Sequence, residues 1–597
     1  MSTLIHAKRH ARAYFTMAFA LSCMAWAGLA NASRADDGEF PKTVRVGLPA
    51  DPQTVALSDI EALRTWRGWL AEQEFVLDRC GVDFVSRTFV LELKDAAQLA
   101  LIESVGFEVS PFDPLDNPAA NPADAVPRGP GLDPQYFDPD DITTILNQTA
   151  EQHPDITRVF IVGTTIEGRN ILGIEISDNP GIDEDEPAIL LNGLHHSREV
   201  VTPHIVVDAI QHLTNGYEAA DPQIVAWVRN YKTICVPMVN LDGSARVFSG
   251  DLNHRKNMRP VCTTGTNNPG VDLNRNYPYS WGANSPGNVI CERGDGSSGS
   301  TCSDSYRGAS ASSEPETLAM IALADTIRFT IAVSYHSYGR FIDYPYACND
   351  GNPDNRMPEH AVVDSMMRGM AAAIQPVNGV TYAVNSPVAA GPVNGDDTSW
   401  YYAHRGTYPF IVEVGTSFIP AFSAVNGLVN ENRAGWRYLF GRLGQARIDL
   451  HVRDGCTPIE AEVTLLNYAY DTGELPRYTH LPFGRWTYVV PPHANYTIRV
   501  SKPGYVTQDV PIGVENSPIQ VVVQLEPLSA PSILKGDMNG DCIVDGSDIA
   551  GFSTAWLSGD GATPSQVAAG DFTNDCAIDV TDLALFVDAA LNGNVCP

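Results

Sequence analysis

The sequence predicts an α/β protein: a mixed-sheet central domain, a small α/β segment ahead of it, and two smaller modules behind it. Three observations carry that prediction. Between Tyr136 and about Gln445, helical patterns (DITTILNQTAEQHP, SEPETLAMIALADTI, EHAVVDSMMRGMAAAI) alternate with short apolar runs (RVFIVG, AILLNG, YKTICVPMV, FTIAVSYH, YPFIVEVG). Such alternation builds a sheet layered with helices. Over residues 446–527 the helical period disappears; RIDLHVRD, AEVTLLNY, YTIRVSK and QVVVQLEP alternate apolar and polar positions between Pro and Gly turns, as in a small β-sandwich. Residues 535–597 carry ten Asp against one Lys in a repeated pattern, with a helix-like run after each repeat.

The segments ahead of the central domain follow in order. Residues 1–32 hold a basic stretch, the apolar run FTMAFALSCMAWAGLA and the small-residue site ANA. That is the plan of a secretory signal peptide, too short to span a bilayer. The mature chain is therefore expected to be secreted, with no membrane span, and its ten remaining cysteines to form disulfides in an oxidising compartment. Residues 38–115 contain KTVRVGL, RTFVLEL and the helix-like DIEALRTWRGWLAEQ and DAAQLALIESVG, a small α/β unit. A Pro-, Asp- and Asn-rich linker occupies 116–135. The net charge of −32 excludes nucleic acid and anionic membranes as partners and suits a protein that binds cations.

Chemistry concentrates at the ends of the apolar runs, where sites gather in α/β domains. GLHHSREV follows AILLNGL, and the helix expected next, VVTPHIVVDAIQHLTNG, has Gly216 as its stop. His196 and Glu199 are three apart, which on a helical first turn points both side chains one way. His195, four before Glu199, fits the spacing equally. An imidazole nitrogen and a carboxylate oxygen suit Zn²⁺, which needs one more protein ligand and an open position for water. VSYHSYG places His336 at the end of another strand. YPFIVEVG buries Glu413 in an apolar strand, which is costly unless a cation is near. NHRKNMR and GVDLNRNYP add Arg255, Asn274 and Arg275, able to clamp a carboxylate and polarise a carbonyl.

At HSRE, NHRKNMR, GVDLNRN, SEPET, SYHSYG and FIVEVG, in that order over residues 136–445, the chain resembles the zinc carboxypeptidases of the carboxypeptidase A/B type. The resemblance implies one catalytic zinc on His196, Glu199 and His336, with Glu413 as general base and Arg255 polarising the scissile carbonyl. It further implies that Asn274 and Arg275 hold the terminal carboxylate, that Thr398 lies where specificity for the terminal side chain is set, and that Asp272 orients the first ligand histidine. It pairs Cys262 with Cys291 and makes residues 38–115 an activation segment. One departure stands out: counting nine residues back from Trp400, where such enzymes usually carry a mobile tyrosine, lands on Gly391. Tyr382, Tyr401 and Tyr402 are the candidates to replace it. Asp396 and Asp397 fit turn residues better than a preference for Lys or Arg.

The sandwich resembles the transthyretin-like domains that follow some carboxypeptidases. In the tail, Asp537, Asn539, Asp541, Asp545 and Asp548 take positions 1, 3, 5, 9 and 12 of a calcium loop, and Asp571, Thr573, Asp575, Asp579 and Asp582 take them in a second. Cys542 and Cys576 stand where such loops place glycine. The pair resembles a dockerin, which implies two Ca²⁺ and a cohesin-like partner. The function expected is removal of C-terminal residues from peptides; the alternatives are a cell-wall or endo-acting peptide hydrolase of the same fold and an inactive peptidase-like binding module.

Overall fold

The computed structural model describes residues 43–47, 76–77, 88–92, 96–111, 132–262, 268–282, 297–338, 340–347, 356–374, 382–384, 393–415, 418–528, 534–541, 543–559, 562–573 and 575–592. The expected signal peptide, the linker as far as residue 131, Cys291, Gly391 and Cys542 lie outside them. An N-terminal sheet has the order β2-β3-β1-β4, from β1 (Thr43–Gly47), β2 (Val76–Leu77), β3 (Thr88–Glu92) and β4 (Glu108–Pro111), with helix α1 (Ala96–Ser104) before its last strand.

The central domain opens with α2 (Pro139–Gln152), started by an Asp138 capping box and Pro139 in its first turn. Its eight-stranded sheet contains β5 (Thr157–Thr164), β6 (Asn170–Ile176), β7 (Ala188–Gly193), β8 (Lys232–Val236), β9 (Phe329–His336), β10 (Phe341–Asp343), β11 (Ala383–Val384) and β12 (Tyr408–Glu413), in the order β11-β10-β12-β9-β7-β8-β6-β5. Strands β12, β9, β7 and β8 run parallel to one another, and the remaining strands make the sheet mixed. Every residue of β7, β8 and β9 is buried, which is why those runs lack alternation.

The covering helices are α3 (Thr202–Glu218), α4 (Pro222–Asn230), α5 (Leu241–Phe248), α6 (Pro315–Thr326), α7 (His360–Ala373), α8 (Asp397–Arg405) and α9 (Val425–Leu443). Helix α3 runs past Gly216, so the expected stop there is wrong. A Cβ on Gly216 would come within 2.8 Å of Ile224, so the glycine serves the close approach of α4. Likewise His196 to Glu199 form a turn ahead of α3 and not a helical turn.

Two four-stranded sheets follow. One joins β13 (Arg447–Asp454), β14 (Thr457–Pro458), β17 (Arg485–Val489) and β20 (Pro518–Gln524); the other joins β15 (Glu462–Leu465), β16 (Arg477–Tyr478), β18 (Ala494–Ser501) and β19 (Gln508–Val514). Their inward residues, among them Ile448, Leu450, Val463, Tyr488 and Ile498, share one core. Helices α10 (Ile549–Ser558), α11 (Pro564–Gly570) and α12 (Val580–Asn592) enclose a small core around Val544, Phe552, Ile578 and Phe586; the first acidic loop precedes α10 and the second runs from the end of α11 into α12.

The disulfide expected at Cys262 differs in its partner: Cys262 bonds Cys302, their Cα atoms 4.7 Å apart, and not Cys291. The chain from Ser298 to Tyr306 doubles back beside Asn268 and Lys256, carrying Cys302 to Cys262. The pairing with Cys291 is what the resemblance implied, and the fold brings Cys302 to Cys262 in its place. A second bridge, Cys456–Cys576, ties the sandwich to the second acidic loop.

Gly270 leads into Asp272 at φ +101°, and a Cβ there would stand 1.9 Å from the Asn257 carbonyl oxygen. Gly270→Ala is expected to destabilise the protein by at least about 1–3 kcal/mol through backbone strain and overlap, read as a fall in thermal midpoint.

Candidate active site

Three adjacent parallel strands end at one place. β7 ends at Gly193 and delivers His195 and His196, β9 ends at His336, and β12 ends at Glu413, paired in register with His336. The site lies beyond their carboxyl ends. Leu194 turns the chain out of β7 at φ +58°, held by its N–H on Thr202 Oγ1.

His196 Nδ1 lies 2.8 Å from Glu199 Oε1 and 3.1 Å from His336 Nδ1, and His336 Nδ1 is 3.0 Å from Glu199 Oε2. His196 Nε2 is 3.1 Å from Asp272 Oδ1, and Asp272 Oδ2 accepts from Arg255 Nε at 2.9 Å. Burial would raise the Asp272 carboxyl, but Arg255, Arg275 and His196 hold it well below the usual range. An ionised Asp272 only accepts, so His196 carries its proton on Nε2 and presents a lone pair from Nδ1. Ser334 donates to Asn192 Oδ1 (3.1 Å) and sits 3.2 Å from His336 Nε2, so that nitrogen is the donor and His336 Nδ1 also presents a lone pair. With both rings neutral, two imidazole lone pairs and the Glu199 carboxylate, which also accepts the Ser337 N–H at 3.1 Å, converge on one point, and a shared cation there would satisfy all three. Two nitrogens and a carboxylate oxygen are a zinc donor set, and each histidine has the outer hydrogen bond that such ligands use.

His195 is fully buried but turns the other way, its Nε2 3.0 Å from the Tyr277 hydroxyl and 3.9 Å from Asp397 Oδ2. His195, His336 and Asp397 also approach one another closely, as a second group that shares His336. Burial, then the charges of His336 and His196, keep His195 well below its ordinary pKa.

Glu413 is raised above the usual carboxyl range, first by burial and then by the charge of Glu199. Arg255 lies 3.8 Å from Glu199 through Nη1. Asn274 Nδ2 is 3.4 Å from His336 Nε2, and its Oδ1 accepts the Asp397 N–H at 2.8 Å. Arg275 bonds the Asn274 carbonyl through Nη1 at 2.7 Å. Thr398 is buried at the start of α8, its hydroxyl donating to Asp396 Oδ1 at 2.7 Å. Asp396 caps α8 by accepting from Ser399 N. Of the three tyrosines that could replace the one missing at Gly391, Tyr382 donates to Glu431, Tyr402 donates to Glu359 and Tyr401 is buried. At the mouth, Tyr338 is 47% exposed and packs edge-on against Phe418, over which Arg198 lies at 4.1 Å.

Residues without an assigned role in the sequence build the frame. Asn257 donates to Glu314 (2.7 Å) and Glu316 (3.0 Å) and accepts the Val271 N–H (2.8 Å), while Arg259 bonds Glu314. NHRKNMR, GVDLNRN and SEPET therefore interlock, and Asp272 is set by that lock. Ser334 and Asn192 were missed; polar residues inside wholly apolar strand runs were the available signal.

Residues 142–435 match the model of the family described as zinc carboxypeptidase. Over those residues the central domain is similar to that family. The chain is 36% identical over 149 residues to a zinc carboxypeptidase of Saccharothrix mutabilis subsp. capreolus, covering 25% of this chain and 33% of that protein. It is 32% identical over 246 residues to metallocarboxypeptidase A of Arthroderma otae, covering 40% and 53%. The chain thus spans between a third and about half the length of these two curated relatives. Among solved structures, carboxypeptidase A of Helicoverpa armigera aligns with 20% identity and a TM-score of 0.44 over 67% of this chain and 95% of that one. No helix among the described residues is long and apolar enough to cross a membrane.

The central domain is expected to bind zinc, to lose that binding on His336→Ala or His196→Ala, and to keep it on His195→Ala. Asp272→Asn should weaken zinc binding about 10- to 100-fold. Competition with a chromophoric chelator measures all four.

Proposed function

We propose that the protein is an exported zinc-dependent carboxypeptidase that hydrolyses C-terminal peptide bonds. The observation that carries this reading is the juxtaposition of the converging set His196, Glu199 and His336 with a buried carboxylate, Glu413, on the neighbouring strand. Zinc held by that set would supply Lewis acidity and an acidified water. Glu413 takes a proton from water and returns it to the leaving amine, a role suited by a carboxyl raised through burial. Arg255, aimed by Asp272, stabilises charge on the scissile carbonyl oxygen. Asn274 and Arg275 receive the terminal carboxylate, and Thr398 stands on the side of the terminal side chain. Asp272 holds the His196 proton on Nε2 throughout.

Export is supported by the signal-like residues 1–32 and by two disulfides, Cys262–Cys302 and Cys456–Cys576. The separate N-terminal sheet is proposed as an activation segment. For the tail we propose two Ca²⁺ and a cohesin-like partner. In both acidic loops the position-12 carboxylate is fully buried and bonds the N–H groups of its own loop: Asp548 takes those of Met538 and Asn539, Asp582 that of Thr573. Asp571, Asp575 and Asp582 lie close enough to share one ion.

Glu413→Gln should retain zinc and the fold while lowering kcat by several orders of magnitude, measured on free-acid peptides with mass detection of the released residue; near-normal turnover would sink the mechanism. Calorimetry should find two calcium ions per chain, one lost in Asp548→Ala and the other in Asp582→Ala.

A further inference from the structure

A buried ion pair joins the sandwich to the catalytic domain behind the substrate side of the site. Arg477, at the start of β16, donates from Nη1 to Glu359 Oε1 and from Nη2 to Glu359 Oε2, each at 2.7 Å. Both residues are buried. The hydroxyls of Tyr402, Tyr408 and Tyr470 donate to the same carboxylate at 2.6, 3.3 and 3.1 Å, and the guanidinium lies over the rings of Tyr470 and Tyr402. Burial would raise the Glu359 carboxyl, yet Arg477 outweighs it and holds it below the usual range. Around the pair, Leu475 N–H donates to the Ala403 carbonyl at 2.8 Å. Gly406, the cap of α8 at φ +66°, leaves no space for a Cβ, because Trp486 would be 2.6 Å from it.

Three of these contacts, at Tyr402, Ala403 and Gly406, fall on one element. Tyr402, Ala403 and Gly406 form the carboxyl end of α8, whose first residue, Asp397, donates its N–H to Asn274 Oδ1. Nine residues of helix make a rod of about 13 Å, so a tilt of about 4° displaces its far end by about 1 Å. A misplacement of that size is enough to weaken substrate positioning severely. We propose that Arg477, acting through Glu359 and α8, is a positioning residue for Asn274, so that the sandwich sets the carboxylate-binding side of the active site. This rests on the carboxypeptidase reading above.

The test uses the full chain and two variants. R477K keeps the charge and loses the two-pronged fork, while the double variant E359L/R477M removes both charges and leaves neither buried without a partner. Both are expected to keep one zinc and kcat within about twofold, with KM for a free-acid peptide raised roughly five- to twentyfold and KM for its C-terminal amide unchanged. A role confined to stability would lower the thermal midpoint and leave the KM ratio of acid to amide alone. Wild-type KM values in both variants overturn the proposal while leaving the carboxypeptidase reading intact. A wild-type protein that cleaves no free-acid peptide overturns that reading and this one together.

Discussion

Asp272 is the residue on which the candidate site depends. One oxygen receives His196 Nε2, the other receives Arg255 Nε, and the carboxylate also caps its own short turn through Asn274 N. It therefore sets a tautomer, aims a guanidinium and starts the backbone segment that carries Asn274 and Arg275. Such a buried carboxylate is tolerable only because its charge is matched by direct donors; an uncompensated one would cost several kcal/mol. The frame around it is equally polar. Asn257, Glu314 and Glu316 hold the preceding residues by side-chain bonds, at a place where Gly270 allows two stretches of backbone to touch.

The sheet explains why distant residues meet. Parallel strands β7, β9 and β12 end together, so residues 196, 336 and 413 arrive at one edge although 140 and 77 positions separate them. Burial of the strands forces their interior to be largely apolar, and two of the polar exceptions, Asn192 and Ser334, serve the ligand histidine. Beside that set, burial and then the negative charge of Glu199 raise the Glu413 carboxyl. A divalent ion reverses the sign of these interactions, which is how one set of residues can both bind a metal and keep a base beside it.

The sandwich and the tail are joined to this centre by different means. The sandwich makes a desolvated ion pair and a ring of tyrosine hydroxyls with the catalytic domain, and bonds Tyr279 through the Thr472 carbonyl. Replacing one partner of such a pair would leave a buried charge, so the two folds are energetically linked. The tail is joined to the sandwich by a covalent bridge placed inside its second acidic loop, at Cys576, where φ is +71°. A cysteine at a position that favours glycine is accounted for by that bridge.

By itself the sequence determined the mixed-sheet class, the apolar strand runs that end at or just before His196, His336 and Glu413, and the motif residues around them. These were legible because burial imposes apolar runs of strand length and because polar residues at their ends have few structural reasons to be there. It did not determine the partner of Cys262, the end of α3, or the orientation of His195 against His196. Those depend on which backbones approach one another: the segment 298–306 folding back on Lys256, α4 packing on Gly216, and Tyr277 standing within reach of one histidine while Asp272 stands within reach of the next. The link from Arg477 to Asn274 is likewise invisible in one dimension. Its two ends are 203 residues apart in the chain, and only the packing of the sandwich on α8 brings them into one rigid path.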